Sequence, residues 1–424
     1  MLIENTLQRI KKCTEKNDIV KKMLKSFQFT DEPKFFQYTA YMAEMSKRTD
    51  AVQDKDNHGS GLDINKNLAQ IKALGECIER YCLSCYRKKE VVKKSFNEIN
   101  RKKVDPIKFV NFIRDKESQI SKFHNLKFNW VECEDYFKDD KILIPAQLIY
   151  VPYQAKEAVI RYPISNGAAF ANSRSEAIYK GVCELIERDA FMITYLKKIK
   201  PKRIELNSIK EKDIRDLLNM FKRYFLEIHI LDITLDLNVP TILCILIDKS
   251  EVGPAISIGS KTDVNIFTAI KGALLEVEHT RTWIRYLSMT KKKKVSSTKN
   301  IKDIEDRGLF WCDKGRIKDL DFLINAKEKK SIPEKTNKKI SVSKKWDIVK
   351  NIIKKKGYHL YLKDITTKGV KDCGFNVIKT VIPELHPLFL FEDLKYLYSN
   401  RLEEIGKNKG SSHNYLNKIP HPFV

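Results

Sequence analysis

The sequence predicts a mixed α/β fold, of the α+β kind with mixed sheets, in which several helices carry carboxylates. Three observations predict it. Strand-length apolar runs and helix-length amphipathic runs follow one another in no regular βαβ order. At 424 residues and 42% hydrophobic content, the chain has material for a large core. A short device, Glu-x-x-Glu-Arg, occurs twice inside helical patterns, in "GECIERYC" at 75 to 82 and "CELIERDA" at 183 to 190.

Taken in order, residues 5 to 28 read as a basic amphipathic helix, within an N-terminal helical segment 1 to 28 that precedes a main domain over 29 to 424. "KFFQYTAYMAEMS" at 34 to 46 includes a strand. "NHGSGLD" at 57 to 63 reads as a glycine turn, followed by a helix over about 64 to 88. The stretch 90 to 127 is charged and helical in period. "KILIPAQLIYVPY" reads as strand and turn, and "VIRYPISNGAAFANS" as strand then polar loop. A helix over 174 to 197 comes next, then a helix at about 208 to 225 and strands around 228 to 234 and 241 to 248. "AISIGSKTDVN" gives a short strand before a helix over about 265 to 288. The stretch 290 to 345 is polar and lysine-rich, and reads as a surface loop or insertion. A helix at 346 to 356, strands in "YHLYLKDIT" and "FNVIKTVIPEL", and a helix at about 391 to 400 complete the order. Residues 417 to 424, "NKIPHPFV", form a proline-rich tail.

Composition narrows the class. The formal net charge is +25, but the lysines are spread along the chain without an arginine-rich arm, which argues against a nucleic-acid binder. The charged N-terminus is unlike a signal peptide, and no long uncharged apolar run suggests a membrane span. Nine scattered cysteines fit reduced thiols and a cytoplasmic location. Cys82 and Cys85 form a single C-x-x-C, short of the four ligands of a structural zinc site. Helical spacing puts Cys82 and Cys85 in an apolar stripe with Ile71, Leu74 and Ile78, so they are expected in the core.

The same spacing gathers Glu76, Glu79 and Arg80 on the opposite face. In the second copy, Glu176, Lys180, Glu184, Glu187 and Arg188 share one face. A third helix, "GALLEVEHTRTWIRYL", adds Glu276, His279 and Arg281. A solvated salt-bridged face accounts for one such pattern, but two near copies and a third helix weaken that account. Carboxylates on separate helices suit Mg²⁺, which takes oxygen ligands and shares them with phosphates. Arginines on the same faces hold phosphate oxygens in pairs. The P-loop and kinase motifs are absent, so an ATP site here is of a carboxylate-rich kind.

At these residues the sequence resembles the YcaO family. "KALGECIERYC" resembles its first signature, "ISNGAAFANSRSEAIYKGVCELIERDA" its second, and "ISIGSKTDVNIFTAIKGALLEVEHTR" its third. "LKDITTKGVKDCGFNVIKTVIPELHPLF" followed by "NRL" resembles the C-terminal section, so the likeness covers roughly 30 to 424. It implies a YcaO-type ATP-binding fold and ATP-dependent activation of a backbone amide. Its phosphate and Mg²⁺ ligands map onto Glu76, Glu79, Asn172, Glu176, Glu184, Glu187 and Arg188, with Arg281 as a further phosphate contact. The two Glu-x-x-Glu-Arg helices would then face each other across ATP and its magnesium ions. His279 stands where the family usually has Gln, and 290 to 345 matches poorly.

The tail sets the subtype. "NKIPHPFV" resembles the tails of family members that make azolines from Cys, Ser or Thr of ribosomal precursor peptides, as in thiazole/oxazole-modified microcins. On that likeness Pro420, His421, Pro422 and the carboxylate of Val424 are the candidate catalytic residues. Two prolines and a terminal carboxylate give the tail no evident packing role, so its loss is expected to spare ATP affinity. The resemblance also implies a precursor peptide and a separate, ubiquitin-activating-like partner that binds its leader. A flavin-dependent dehydrogenase and a homodimer within a larger complex are further candidate partners. Thioamide or amidine formation is the alternative chemistry, and a non-catalytic scaffold the alternative class.

Overall fold

The computed structural model describes residues 2–44, 58–86, 88–153, 155–250, 252–291, 293–333, 340–408 and 416–424. The chain divides into two compact units. The first comprises residues 1–28, 34–185 and 342–384, and the second 29–33, 186–341 and 385–424. The division falls inside the helix Arg174–Leu196, between the two glutamates of its Glu-x-x-Glu-Arg device.

The first unit holds two sheets. The smaller is antiparallel, in the order Val20–Lys25, Phe36–Met42, His58–Asp63. The helix Lys66–Ser84 lies on it, burying Ala69, Ala73, Leu74, Cys77 and Ile78. Asn65 starts that helix, its side chain accepting from the backbone N–H of Asn67 and Leu68. Helix and strand are so close that a Cβ on Gly59 would lie 2.3 Å from the Ala73 carbonyl oxygen, which only glycine avoids. The larger sheet runs Val91–Ser95, Lys127–Asp135, Tyr361–Asp364, Asn376–Val381, Ala168–Ala171, with Asp140–Pro145 also paired to Lys127–Asp135. Trp130, Phe128, Phe109 and Val377 are fully enclosed in this unit's core.

The second unit is built on a five-stranded sheet in the order Ile256–Thr262, Thr241–Asp248, Leu226–Asp232, Lys202–Ile204, Lys329–Lys330. Every residue of "TILCILID" at 241 to 248 is buried, as its unbroken apolar run requires of a central strand. The helix Ile266–Lys291 packs on this strand and its neighbour. Asn265 caps it as Asn65 caps its counterpart, accepting from Phe267 and Thr268. A Cβ on Gly259 would meet the Val277 nitrogen at 2.2 Å. These two strand–cap–helix modules match at a constant separation of 200 residues: Gly59/Gly259, Ser60/Ser260, Asp63/Asp263, Asn65/Asn265, Ala69/Ala269, Ala73/Ala273 and Glu76/Glu276.

Several expectations are corrected. The helix at the N-terminus ends at Lys16, and residues 20 to 25 form a strand. His58–Asp63 is a strand rather than a turn, while Asn57 lies outside the described residues. The 90 to 127 stretch is a strand, short 3₁₀ turns and one helix of six residues. The strand in "VIRYPISNGAAFANS" follows the loop, at Ala168–Ala171. The last helix is Asn400–Asn408, not 391 to 400. The largest correction concerns 290 to 345. It contains the helices Ile304–Phe310 and Asp321–Ile324, and buries Phe310, Trp311, Leu320 and Leu323 in the second unit's core. Burial on that scale stabilises each large side chain by about 1.5–3 kcal/mol, so residues 304 to 324 of this stretch are core and not a removable loop. Among the described residues, no helix is long and apolar enough to cross a membrane.

Candidate active site

Within the first unit the structure brings the two copies of the device together. Glu184, from the helix Arg174–Leu196, lies close enough to Glu79, from the helix Lys66–Ser84, to raise the cost of ionising Glu79. Burial, then Glu184, then Glu76 push the Glu79 carboxyl from the ordinary 4.5 up to about 8. Backbone donors aim these carboxylates. Glu79 accepts from the Phe170 N–H at 3.2 Å and Glu184 from the Gly167 N–H at 2.9 Å. Glu76 accepts from the Ser60 N–H and from Arg80, each at 2.7 Å. Gly167 has φ +84, the left-handed conformation that lets its N–H turn onto Glu184.

The cluster carries its own cations, Arg80 and a residue the sequence reading did not nominate, Lys379. The Lys379 ammonium is buried and donates to the carbonyls of Ile164 at 2.8 Å and Asn166 at 2.6 Å. Burial lowers it to about 8 against the pull of Glu184 and Glu79. No local periodicity marks Lys379; it is the one charged residue of the strand Asn376–Val381, and that is the signal. Asn172 is exposed in the turn before the helix, and Glu176 pairs with Lys180 at 2.8 Å, about 12 Å along the same face from Glu184. Two repelling, half-buried carboxylates oriented by N–H donors fit a hard cation such as Mg²⁺, which would relieve their repulsion. Among the described residues, no group of three or more His, Cys, Asp or Glu is already gathered as a metal site.

The second unit holds the rest of the device. Glu187 was expected on a polar face but is 1% exposed. It accepts from the Ser260 hydroxyl at 3.0 Å and the Thr262 N–H at 2.9 Å. Arg188 pairs with Glu187 at 3.0 Å and approaches Glu276 at 3.8 Å. Glu276, already picked out on the third helix, is the counterpart of Glu76 in the module repeated at 200 residues.

Arg281 departs from its expected role as a phosphate contact. It is fully buried and donates to Asp248 at 3.0 Å, with Glu32 at 3.6 Å and Glu278 at 3.7 Å. Arg285 continues this internal network through Glu32 and Asp31. Glu278 lies fully enclosed within it, and neither of its oxygens accepts a hydrogen bond. Burial pushes its carboxyl from 4.5 up to about 8, so the folded protein keeps a proton there that the unfolded chain releases. The corresponding stability is complete below about pH 4.5 and is lost as pH rises through about 8. Glu278→Gln is therefore expected to flatten the fall in melting temperature between pH 5 and pH 8.5. Equal slopes for variant and wild type in thermal scans would contradict it.

The tail is not the unpacked end the sequence suggested. Tyr195 donates to the Pro420 carbonyl at 3.2 Å and Arg307 to the His421 carbonyl at 3.2 Å. His421 Nε2 donates to the Phe389 carbonyl at 2.7 Å, and burial followed by Arg307 holds the imidazole neutral, well below its usual range. A neutral, enclosed imidazole committed to a backbone carbonyl is a poor proton shuttle, which corrects that expectation for His421. Pro420 and Pro422 are also buried, whereas Val424 keeps partial exposure. Phe423 packs on Phe191, ring centres 5.0 Å apart, and the Arg188 guanidinium lies 4.0 Å from the centre of its ring.

Comparison with known proteins gives a consistent picture. Residues 60–386 match a family model described as YcaO cyclodehydratase, ATP- and Mg²⁺-binding. An uncharacterised protein of Methanothermobacter thermautotrophicus is 28% identical over 158 residues, 37% of this chain and 41% of that protein. A protein in the tfuA 3′ region of Rhizobium leguminosarum bv. trifolii is 28% identical over 28% of this chain and 29% of its own length. The matched stretches thus span less than half of either relative. Among solved structures, a heterocyclase in complex with substrate and cofactor superposes with TM-score 0.76 at 18% identity, over 98% of this chain and 57% of that one. YcaO from Methanopyrus kandleri bound with AMPPCP and Mg²⁺ gives 0.64 at 16%, over 91% of each chain. The Escherichia coli microcin synthetase McbBCD complex gives 0.59 at 17%, over 86% and 88%. At these identities the likeness establishes the fold.

Proposed function

Since the chain belongs to the YcaO family, we propose that it is an ATP-dependent cyclodehydratase acting on the backbone amides of a precursor peptide. The observation that carries this reading is the opposed pair Glu79 and Glu184, one from each copy of the repeated device, aimed by the N–H groups of Phe170 and Gly167. In the proposed reaction a Cys, Ser or Thr side chain gives up its thiol or hydroxyl proton to solvent and adds to the preceding carbonyl carbon. The amide oxygen takes the γ-phosphoryl group of ATP, releasing ADP. The carbon–oxygen bond then breaks, phosphate leaves with the amide oxygen, and loss of the amide proton gives the azoline.

The residues have distinct tasks. Glu79 and Glu184, with Glu76, Glu176 and Glu187 as further candidates, would hold Mg²⁺, and Asn172 would contribute to the nucleotide site. Magnesium, when bound, neutralises polyphosphate charge. Arg80 and Arg188 would contact phosphate oxygens. Lys379 fixes the 164–167 turn that presents the Gly167 N–H. Catalysis of this kind is positioning and charge compensation rather than proton relay. Val424, the tail residue with partial exposure, is the one whose carboxylate would meet the substrate. A leader-binding partner protein would deliver the peptide, and a flavin-dependent dehydrogenase would act on the azoline afterwards.

The test is mass spectrometry of a Cys/Ser/Thr-rich precursor peptide incubated with this protein, its leader-binding partner and Mg·ATP. Loss of one water per ring, dependent on ATP, supports azoline formation. Exchange of an amide oxygen for sulfur, or no change in mass, overturns it.

A further inference from the structure

Arg188 is gripped from several directions in the second unit. Glu187 meets one terminal nitrogen at 3.0 Å, Glu276 approaches the other at 3.8 Å, and the Phe423 ring lies 4.0 Å from the guanidinium carbon. A ring stacked on a guanidinium occupies its face and uses none of its N–H donors, which lie in the plane. Phe423 is itself anchored. It is 5% exposed and rests on Phe191, and the residues before it are tied down by Tyr195, Arg307 and Phe389.

We propose that Phe423 is a positioning residue for Arg188, so that the C-terminal segment belongs to the polyphosphate-binding site through its aromatic ring. The inference rests on the reading of Arg188 as a phosphate contact. An unrestrained arginine must give up side-chain freedom on binding phosphate, and a stacked one has already done so. Within the second unit, Arg188 and the tail are thereby held by one another. Loss of the tail is then felt at the nucleotide, in contrast to the expectation from sequence.

The experiment replaces Phe423 in the full chain by pentafluorophenylalanine, which keeps the ring and its burial but abolishes the negative face, alongside Phe423→Leu. Binding of Mg·AMPPCP is measured by calorimetry, with melting temperatures as the control for folding. Affinity is expected to fall about 3- to 20-fold in the fluorinated protein, with a melting temperature within a few degrees of wild type. Wild-type affinity in the fluorinated protein overturns the proposal, because ordinary packing would then account for the contact. If the wild type itself fails to bind Mg·AMPPCP, it is the nucleotide reading that falls. The stack is then judged by the NMR signal of the Arg188 Nε–H. A ring-current shift that disappears in Phe423→Leu supports it, and an unchanged signal overturns it.

Discussion

Glu79→Gln and Glu184→Gln are each expected to lower ATP turnover by at least about 100-fold, the scale of losing one charged group from a phosphoryl-transfer site. Glutamine keeps the shape and still accepts from the Phe170 or Gly167 N–H, so what is lost is charge. The free protein should respond in the opposite sense. Glu79 sits where burial and two neighbouring carboxylates disfavour its ionised form, and glutamine is neutral without first having to take up a proton. Without Mg²⁺, Glu79→Gln should therefore melt at or above the wild-type temperature while being nearly inactive. Phosphate release and thermal scans on the same samples check both halves. Turnover within threefold of wild type would remove these residues from the site.

Deleting Pro420–Val424 is expected to lower the melting temperature by about 8 °C or more and to suppress peptide modification and nucleotide binding together. Losing a buried Phe side chain costs about 3–5 kcal/mol in a core that cannot close over the gap. The deletion also leaves Tyr195 and Arg307 without the carbonyls they now serve. A truncated protein with wild-type melting and nucleotide affinity, impaired only in ring formation, would restore a purely catalytic tail.

Legibility in the sequence followed the range of the forces involved. The long helices Lys66–Ser84, Arg174–Leu196 and Ile266–Lys291 were readable because their apolar period is local and strong. The central strand Thr241–Asp248 was readable because it is apolar throughout. Val91–Ser95 was not: "VVKKS" stands in a charged stretch, and its pairing with Lys127–Asp135 makes it a strand. Phe310 and Trp311 were hidden among lysines because no period announces core in so short a helix. The tail looked unpacked because its prolines are local signals, whereas Tyr195 and Arg307 are distant in sequence. The candidate site was half legible. The spacing put Glu79 and Glu184 each on a carboxylate-bearing helix face, and the family resemblance implied that the two helices face each other, but only tertiary contacts showed that Lys379 joins them, that Glu187 is buried and that Arg281 is absorbed in an internal ion-pair network.

The central claim is that ATP phosphorylates an amide oxygen of the peptide. It is tested most directly by labelling the carbonyl oxygen before a cyclising Cys, Ser or Thr with ¹⁸O and following the label through a turnover with Mg·ATP. Transfer to phosphate requires the amide oxygen to become bonded to phosphorus before the carbon–oxygen bond breaks. The expected result is one ¹⁸O in inorganic phosphate for each ring formed. Label released into water, with unlabelled phosphate, would contradict it.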